Sequence, residues 1–334
     1  MALDFRKRLP EAIKNAYLYS QLINHLQASG LGEDIDIEHI LWELGRLSDA
    51  IEAWTDANSF ASRLLTTNQI EEIARANNSG PAVHGQFGNL QTIVRSLQDQ
   101  INERVYEYYS QPPDDKELKR SWIPLLERVS SFGFDRVDLV TTNYDLVIES
   151  ALESHSGNRI GMGSQQGLFP GIDLEAWRKT DSTSGMLTKL HGSVDWKLGN
   201  GSTDTNPVIR RGHPEFDGDH RKRLILYPGF KGVPSREPFV AFHEYFRRTL
   251  QEASHLLFVG FAFRDDFINE LIASTLPKSS RVAVVNPAPQ LPPLPFLNGA
   301  THLKQGFGID KNATILSSGG LTPFSLDDLE TWIG

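Results

Sequence analysis

The feature that most constrains this chain is a series of short apolar runs from residue 136 onward, most of which stop at a polar residue or a glycine. The runs cover residues 137–142, 187–190, 224–226, 256–261, 282–285 and 314–316. Segments with helical spacing separate some of them, at 143–153, 238–252, 265–275 and 325–333. Because strands that alternate with helices form mostly parallel sheets covered on both faces, the pattern predicts an α/β fold.

Five of these strand-like segments end at a residue that is polar or glycine: Asn143, His191, Tyr227, Gly260 (after residues 256–259) and Asn286. One such strand end is ordinary turn chemistry. Parallel α/β sheets bind their ligands at the carboxyl ends of the strands. Five such ends on one edge therefore predict the rim of a ligand site.

The first third of the chain has the three- and four-residue apolar spacing of helices. The spacing predicts helices over 4–29, 36–54, 90–109 and 116–131, with an Asn- and Gly-rich loop over 77–89. We expect a mainly helical region over 1–135, packed on an α/β core over 136–334.

Composition excludes several classes of protein. The formal net charge of −9 argues against a sequence-specific or general nucleic-acid binder. The sequence has no cysteine, which excludes disulfides and cysteine zinc sites, and its ten histidines show no metal-binding spacing. The charged N-terminus has no apolar stretch typical of a signal peptide, and no run reaches the roughly 18 apolar residues of a membrane span. These features predict a cytoplasmic protein without bound zinc.

Two strand ends carry side chains suited to chemistry. The amide of Asn143 both donates and accepts hydrogen bonds, so it can hold a sugar hydroxyl or a water, although a role in shaping the turn has equal weight. Asp145 begins the next helix and can cap it. His191 exchanges protons near neutral pH and precedes Gly192, which lets backbone approach a ligand. The alternative for His191 is a hydrogen-bonded core histidine.

Two other segments carry glycine. Gly260 ends a buried strand and permits close backbone approach, and Asp265 or Asp266 can cap the helix that follows. Residues 161–167 are also glycine-rich, but no clear strand or helix flanks them, so we interpret them as a loop rather than a dinucleotide fingerprint.

Several motifs, in this order along the chain, together resemble one family. They are Asp-Ile-Glu at 36–38, Thr-Thr-Asn-Tyr-Asp at 141–145, Lys-Leu-His-Gly-Ser-Val-Asp-Trp at 189–196, Gly-Phe-Ala-Phe-Arg-Asp-Asp-Phe-Ile-Asn-Glu-Leu at 260–271 and Val-Val-Asn-Pro at 284–287. Roughly residues 1–320 resemble the sirtuin-like (silent information regulator) NAD-consuming domains of bacterial anti-phage proteins. The resemblance implies a Rossmann-like NAD-binding core with an added helical module.

The resemblance also implies roles for individual residues. Asn143 would position the water or the nicotinamide ribose, and His191 would contact the ribose hydroxyls as a general base. Asp145 would support the nicotinamide end, while Gly260 and the residues after it, with Asn286, would line the ribose and adenine end. The residues expected to contact NAD are Thr142, Asp145, Gly192, Ser193, Gly260, Phe261, Asp265 and Asn286.

Two departures from the family matter. The sirtuin deacetylases carry a four-cysteine zinc module, which a chain without cysteine lacks; this favours hydrolases. The family also opens with an apolar strand and a Gly-Ala-Gly-x-Ser phosphate loop, and nothing in 1–35 matches it. The chain is truncated or its start is misassigned, or NAD chemistry has been lost, or another loop holds the phosphates. We favour the first explanation because the downstream motifs are intact.

The expected activity is cleavage of the nicotinamide–ribose bond of NAD, giving nicotinamide and ADP-ribose, with NAD depletion as the anti-phage effect. One alternative is a non-catalytic sirtuin-like protein that oligomerises or docks a partner. Another is an NAD cyclase that makes a signalling nucleotide with the same residues. By resemblance we expect a homo-oligomer and a partner defence protein such as an ATPase, and no membrane association.

Overall fold

The described part of the structure, a computed structural model, forms two compact units that divide at Tyr109. The structure describes residues 9–14, 16–31, 35, 37–55, 86–111, 115–120, 122–155, 160–165, 171–179, 185–203, 205–212, 223–226, 234–285, 292–298, 300–303, 307–308 and 320–321. The division between residues 135 and 136 that the sequence suggests stays a prediction.

The helices of the described residues follow the spacing of the apolar side chains. In chain order they are α1 (Glu11–Lys14), α2 (Tyr17–Leu26), α3 (Ile37–Thr55), α4 (Gln86–Tyr109), α5 (Asp115–Arg120), α6 (Trp122–Ser131), α7 (Val147–Ser154), α8 (Glu175–Arg178), α9 (Phe239–Glu252) and α10 (Asp266–Thr275). One π-helical turn, Gln27–Leu31, extends α2, and a short 3-10 helix covers Pro295–Leu297. Among these described helices, none combines the length and apolar character of a membrane span.

The first unit is helical, as its spacing predicts. Ile37, Ile40, Leu41 and Leu44 of α3 are all buried, so the apolar stripe of this helix faces the core. The expected loop over 77–89 is wrong at its end, because α4 already begins at Gln86. Glycine and asparagine lower helix propensity only modestly, and a helix of 24 residues tolerates them in its first turn. The remainder of that loop lies outside the described residues.

The helix predicted over 116–131 is two helices, α5 and α6. Pro124 lies in the first turn of α6, where its missing N–H would have no helical partner in any case. Inside one continuous helix the same proline would remove a hydrogen bond and clash with the preceding turn. A new helix start therefore accommodates Pro124.

The strands of the second unit form parallel and antiparallel groups. In chain order they are β1 (Leu139–Thr141), β2 (Ser164–Gln165), β3 (Gly171–Ile172), β4 (Leu187–Lys189), β5 (Gly192–Leu198), β6 (Ile209–Arg211), β7 (Arg223–Ile225), β8 (His255–Val259), β9 (Arg281–Val285), β10 (Thr301–Leu303), β11 (Phe307–Gly308) and β12 (Gly320–Leu321). β1 pairs with β4 in parallel, and β8, β9 and β10 form a parallel sheet in the order β10-β9-β8. The predicted run at 314–316 and helix at 325–333 lie outside the described residues.

Helices cover both faces of the β8–β9 pair. Ala283 and Val285 of β9 pack with Leu125 of α6, whereas Val284 packs in the cluster that contains Phe242 of α9 and Ile272 of α10. Side chains alternate between the faces of a strand, so a strand buried on both faces needs a continuous apolar run. These parallel pairs flanked by helices confirm the predicted α/β class.

A five-stranded antiparallel sheet, in the order β2-β3-β6-β5-β7, is the main feature that the sequence did not predict. The run at 224–226 was expected among the parallel strands, but β7 pairs antiparallel with β5. The expected loop over 161–167 is wrong at Ser164 and Gln165, which form β2. Short strands with glycine at their edges give weak periodicity, so these pairings arise from neighbouring strands rather than from local pattern.

Replacing Gly185 by alanine is expected to destabilise the second unit. An added Cβ would lie 1.6 Å from the carbonyl oxygen of Val137, so the backbone around β1 and β4 would have to separate. Overpacking of this kind costs about 1–3 kcal/mol of the free energy of unfolding. Urea denaturation followed by tryptophan fluorescence measures the change.

Gly45→Ala is the matched control, because nothing lies within 4 Å of its added Cβ and alanine favours the interior of α3. We expect this variant to keep or raise the urea midpoint. An unchanged midpoint for Gly185→Ala would contradict the close approach of the two backbones.

Candidate functional site

Backbone hydrogen bonds hold the segments after β1 and β4 side by side. The N–H of Leu190 donates to the carbonyl of Thr141, and the N–H of Val194 donates to the carbonyl of Tyr144, both at 2.9 Å. Because β1 and β4 are parallel, their carboxyl ends lie at the same edge. The structure therefore brings the segments that contain Asn143 and His191 together, as their place at strand ends predicts.

His191 is buried and contacts the start of α10. Its side chain is 6% exposed, and its Nε2 lies 3.3 Å from Oδ2 of Asp265. Asp265 is the N-cap of α10, where its Oδ1 accepts a hydrogen bond of 3.0 Å from the N–H of Ile268. The segment after β8 thus meets the segment after β4 through one imidazole–carboxylate contact.

The environment of Asp265 favours its charged form. Burial raises the pKa of Asp265, but the His191 side chain, the Ile268 N–H and the nearby His243 outweigh burial, so the pKa lies below its ordinary value. The carboxylate is therefore ionised at neutral pH, when it can only accept hydrogen bonds. A fixed negative charge next to a buried imidazole is an arrangement suited to proton transfer.

Gly192 allows the chain to turn at His191. Its φ of +81° lies in the left-handed region, and an added Cβ would lie 1.9 Å from the carbonyl oxygen of Leu224. The N–H of Leu226 donates to the carbonyl of His191 at 2.8 Å, which ties β7 to the same turn. A glycine is therefore required here, because both the backbone conformation and the nearby carbonyl exclude a side chain. The hydrogen bond from Leu226 fixes the position of this turn relative to β7.

Asn143 lies at the surface, in contrast to His191. It is exposed, and its backbone N–H donates to Oγ1 of Thr141 at 3.0 Å. Thr142 before it is half-buried. The neighbouring segments thus carry an exposed asparagine and a buried imidazole.

The buried ammonium of Lys189 connects the elements below this edge. Its Nζ donates to the carbonyl of Asp145, to Oε1 of Glu149 at 2.6 Å and to Oγ of Ser193 at 3.0 Å. An ammonium has three N–H donors, so each of them has an acceptor. The three acceptors belong to the loop after β1, to α7 and to β5. Lys189 therefore joins both motif segments to the helix between them.

Glu149 is the anionic partner in this cluster. Burial raises the pKa of Glu149, and the charge and hydrogen bond of Lys189 oppose the increase without cancelling it. Its second oxygen, Oε2, has no hydrogen-bond partner among the described residues. A buried ion pair of this kind stabilises the fold only while both partners are present.

Two residues predicted to contact NAD, Asp145 and Ser193, lie in this cluster. Both are buried. Oδ1 of Asp145 accepts from the N–H of Val147 at the start of α7, and Oγ of Ser193 accepts from Lys189. Oδ1 of Asp145 and Oγ of Ser193 therefore have internal partners, and the NAD contacts expected of these residues stay predictions.

Aromatic side chains line the segment after β8. Phe261 stacks on Phe258 with ring centroids 5.8 Å apart, and Phe263 meets Phe258 edge-on at 5.0 Å. Gly260 is exposed with a φ of +64°, and nothing lies within 4 Å of the Cβ position. The NAD contacts predicted for Gly260 and Phe261 thus lie at an exposed backbone position next to a cluster of aromatic side chains. Asn286, also predicted to contact NAD, lies outside the described residues.

His243 of α9 is a further residue near the imidazole–carboxylate pair. Its Nδ1–H donates to the carbonyl of Phe239 at 2.9 Å, and burial, the largest effect, lowers its pKa to about 4. His191 lowers the same pKa and Asp265 raises it, so both side chains act electrostatically on His243. His243 could have been found from the sequence, because it lies one turn after Phe239 on the buried face of α9.

Comparison with known families bears on the part of the chain that contains these residues. Residues 137–295 match the model of the SIR2-like domain family. By this match, residues 137–295 are similar to a SIR2-like domain. The match covers Asn143, His191 and Asp265, and confirms the sirtuin-like resemblance. A search of curated proteins gave no match.

The SIR2-like domain indicates sirtuin-type, NAD-dependent activity in general. Within the described ranges, no group of three or more histidine, aspartate or glutamate side chains has the arrangement of a metal site.

Replacing Lys189 by methionine is expected to destabilise the SIR2-like domain strongly. The variant leaves the buried carboxylate of Glu149 and the carbonyl of Asp145 without their donor, a loss of about 3–5 kcal/mol for a broken buried pair. Chemical denaturation measures it.

The matched control removes both charges, as Lys189→Met with Glu149→Leu, and should recover most of the stability, because a buried pair replaced by apolar residues of similar size is nearly neutral. A single variant as stable as the starting protein would show that Lys189 does not hold these segments together.

The depressed pKa of His243 predicts a pH-dependent stability. The unfolded chain protonates this histidine near its ordinary value of 6.5, whereas the folded chain protonates it only near about 4. Stability is therefore full above about 6.5 and falls as the pH drops towards about 4, by up to about 3 kcal/mol.

Urea midpoints measured from pH 7 to pH 4 test this linkage. His243→Gln removes the titrating group, so its stability should fall less over that range than that of the unchanged protein. Equal slopes for the two proteins would contradict the buried, neutral state of His243.

Proposed function

We propose that this chain cleaves the nicotinamide–ribose bond of NAD and releases nicotinamide and ADP-ribose. The observation that carries the proposal is the buried His191, in contact with Asp265, beside the exposed Asn143 within a SIR2-like domain. An ionised carboxylate, an imidazole that can accept a proton and an amide are groups that can support such a hydrolysis.

The reaction requires a correctly positioned ribose and water more than it requires a strong acid catalyst. Cleavage of the N-glycosidic bond passes through a state with oxocarbenium character, and nicotinamide departs as a neutral group. Asn143 would orient the ribose or the attacking water, because its amide both donates and accepts. His191 would accept the proton that the ribose hydroxyl or the water loses. The apolar side chains of Phe261 and Phe263 would keep bulk water from the reacting sugar.

Hydrolysis is the preferred reaction because the sequence contains no cysteine. A four-cysteine zinc module of the deacetylase kind is therefore not part of it. By its resemblance to anti-phage proteins, we further propose that the NAD consumption serves defence, in a homo-oligomer and together with a partner such as an ATPase. These assignments rest on the resemblance. We also propose a cytoplasmic location, because the sequence has no apolar run long enough to span a membrane.

Release of nicotinamide from NAD, followed by chromatography, tests the proposal. Asn143→Ala and His191→Ala are each expected to lower the rate at least 100-fold, a loss typical of a positioned general base or an orienting amide. The controls are Asn200→Ala and His25→Ala, which change an exposed asparagine and an exposed histidine outside the site and should keep full activity.

The product separates the alternatives. ADP-ribose supports the hydrolase, and a cyclic nucleotide in its place would identify a cyclase, in which a ribosyl hydroxyl or base nitrogen replaces water. If the unchanged protein neither binds NAD by calorimetry nor releases nicotinamide in any assembly state, the binding or scaffold role is the correct one.

A further inference from the structure

The contact between His191 and Asp265 determines which ring nitrogen of His191 carries a proton. Nε2 faces Oδ2 of Asp265 at 3.3 Å. A carboxylate only accepts hydrogen bonds, so Nε2 must be the donor in both the neutral and the charged ring. In the neutral ring the remaining nitrogen, Nδ1, then carries the lone pair.

We propose that Asp265 is a positioning residue that keeps the proton of His191 on Nε2, so that Nδ1 is the atom that accepts a proton from the substrate. The part of this proposal that concerns the substrate rests on the proposed NAD hydrolysis. The role differs from the direct NAD contact that the sequence suggests for Asp265.

Asp265 is held firmly enough to orient a partner. Its Oδ1 accepts from the N–H of Ile268, and its own carbonyl accepts from the N–H of Asn269 at 2.9 Å. The buried amide of Asn269 donates in turn to the carbonyl of Phe263 at 2.8 Å. Phe263 has a φ of +56°, which is uncommon for a residue with a side chain, and its packing in the aromatic cluster holds that conformation. Hence Oδ2 has a defined position towards His191.

The groups that face the pair favour the same assignment. His243 approaches from α9, but its Nδ1–H is engaged with Phe239 and the ring is neutral at pH 7. Asp265, at the start of α10, supplies the negative charge. When a ribose hydroxyl or a water transfers its proton to Nδ1, its oxygen keeps the electron pair and the ring becomes an imidazolium. The carboxylate stabilises this cation without taking a proton itself, as the orienting aspartate does in serine proteases.

Histidine NMR of the full chain tests the tautomer without any substrate. Protein with ¹⁵N-labelled histidine is expected to show His191 protonated at Nε2 at pH 7.5, with the signal assigned by its absence from His191→Gln. Asp265→Asn and Asp265→Ser keep a good N-cap for α10, because asparagine and serine cap helices as well as aspartate does. The serine is too short to reach His191, and the asparagine amide can donate to Nε2. Both variants should move the proton of His191 wholly or partly to Nδ1.

Asp266→Asn is the matched control, because Asp266 is an exposed carboxylate in the first turn of the same helix. We expect its His191 signal to equal that of the unchanged protein. A His191 signal that is the same in Asp265→Asn, Asp265→Ser and the unchanged protein would overturn the proposal, as would a proton on Nδ1 in the unchanged protein.

Kinetics then test the consequence for catalysis. We expect Asp265→Asn to lower kcat for nicotinamide release by roughly 10²–10⁴-fold with little change in KM. A change in KM alone would instead identify Asp265 as an NAD contact and overturn the positioning role. If the tautomer depends on Asp265 but the unchanged protein releases no nicotinamide, the proposed function fails and the assignment of the protonated nitrogen stands.

Discussion

The buried ammonium of Lys189 is the interaction on which the candidate site depends. It donates to the loop after β1, to α7 and to β5, so three elements converge on one atom. A buried charge is tolerated only when it is paired and its hydrogen bonds are made. The ion pair with Glu149 therefore has a structural role in addition to stabilising the buried ammonium. It sets where the segment of Asn143 lies relative to the strand that leads to His191.

The strand end after Lys189 carries two different functions within a few residues. Lys189 faces the packing cluster, whereas His191 contacts Asp265 at the start of α10. Gly192 makes this possible, since its left-handed conformation turns the chain and leaves room for the carbonyl of Leu224. The structural ion pair and the candidate catalytic pair are thus separate contacts, but both depend on one short segment. Changes in the packing at Lys189 would be transmitted directly to the imidazole.

The sequence predicted the structure best where a local pattern of residues is itself the reason that a helix or strand forms. Apolar runs located β8 and β9, because a strand buried on both faces is largely apolar. Strand β4 was also located from the sequence, although Thr188 and Lys189 in it are buried polar residues. The division between α5 and α6 was missed, because the periodicity suggested one helix, although Pro124 is a signal that could have indicated a new helix start. The antiparallel sheet around β5 could not be read in this way. Its strands are short, and their pairing depends on partners far along the chain.

The sequence alone determined the α/β class, the candidate residues Asn143 and His191 and the sirtuin-like resemblance, because each rests on residue types at local spacings. Tertiary structure decided which of these residues interact. Asp265 is remote from His191 in the chain, as Glu149 is from Lys189, and no local rule pairs an imidazole or an ammonium with one carboxylate among many. Burial determines which carboxylate becomes the partner, because a charge removed from water requires a partner close enough to contact it. The folded backbone alone defines which partners are within reach.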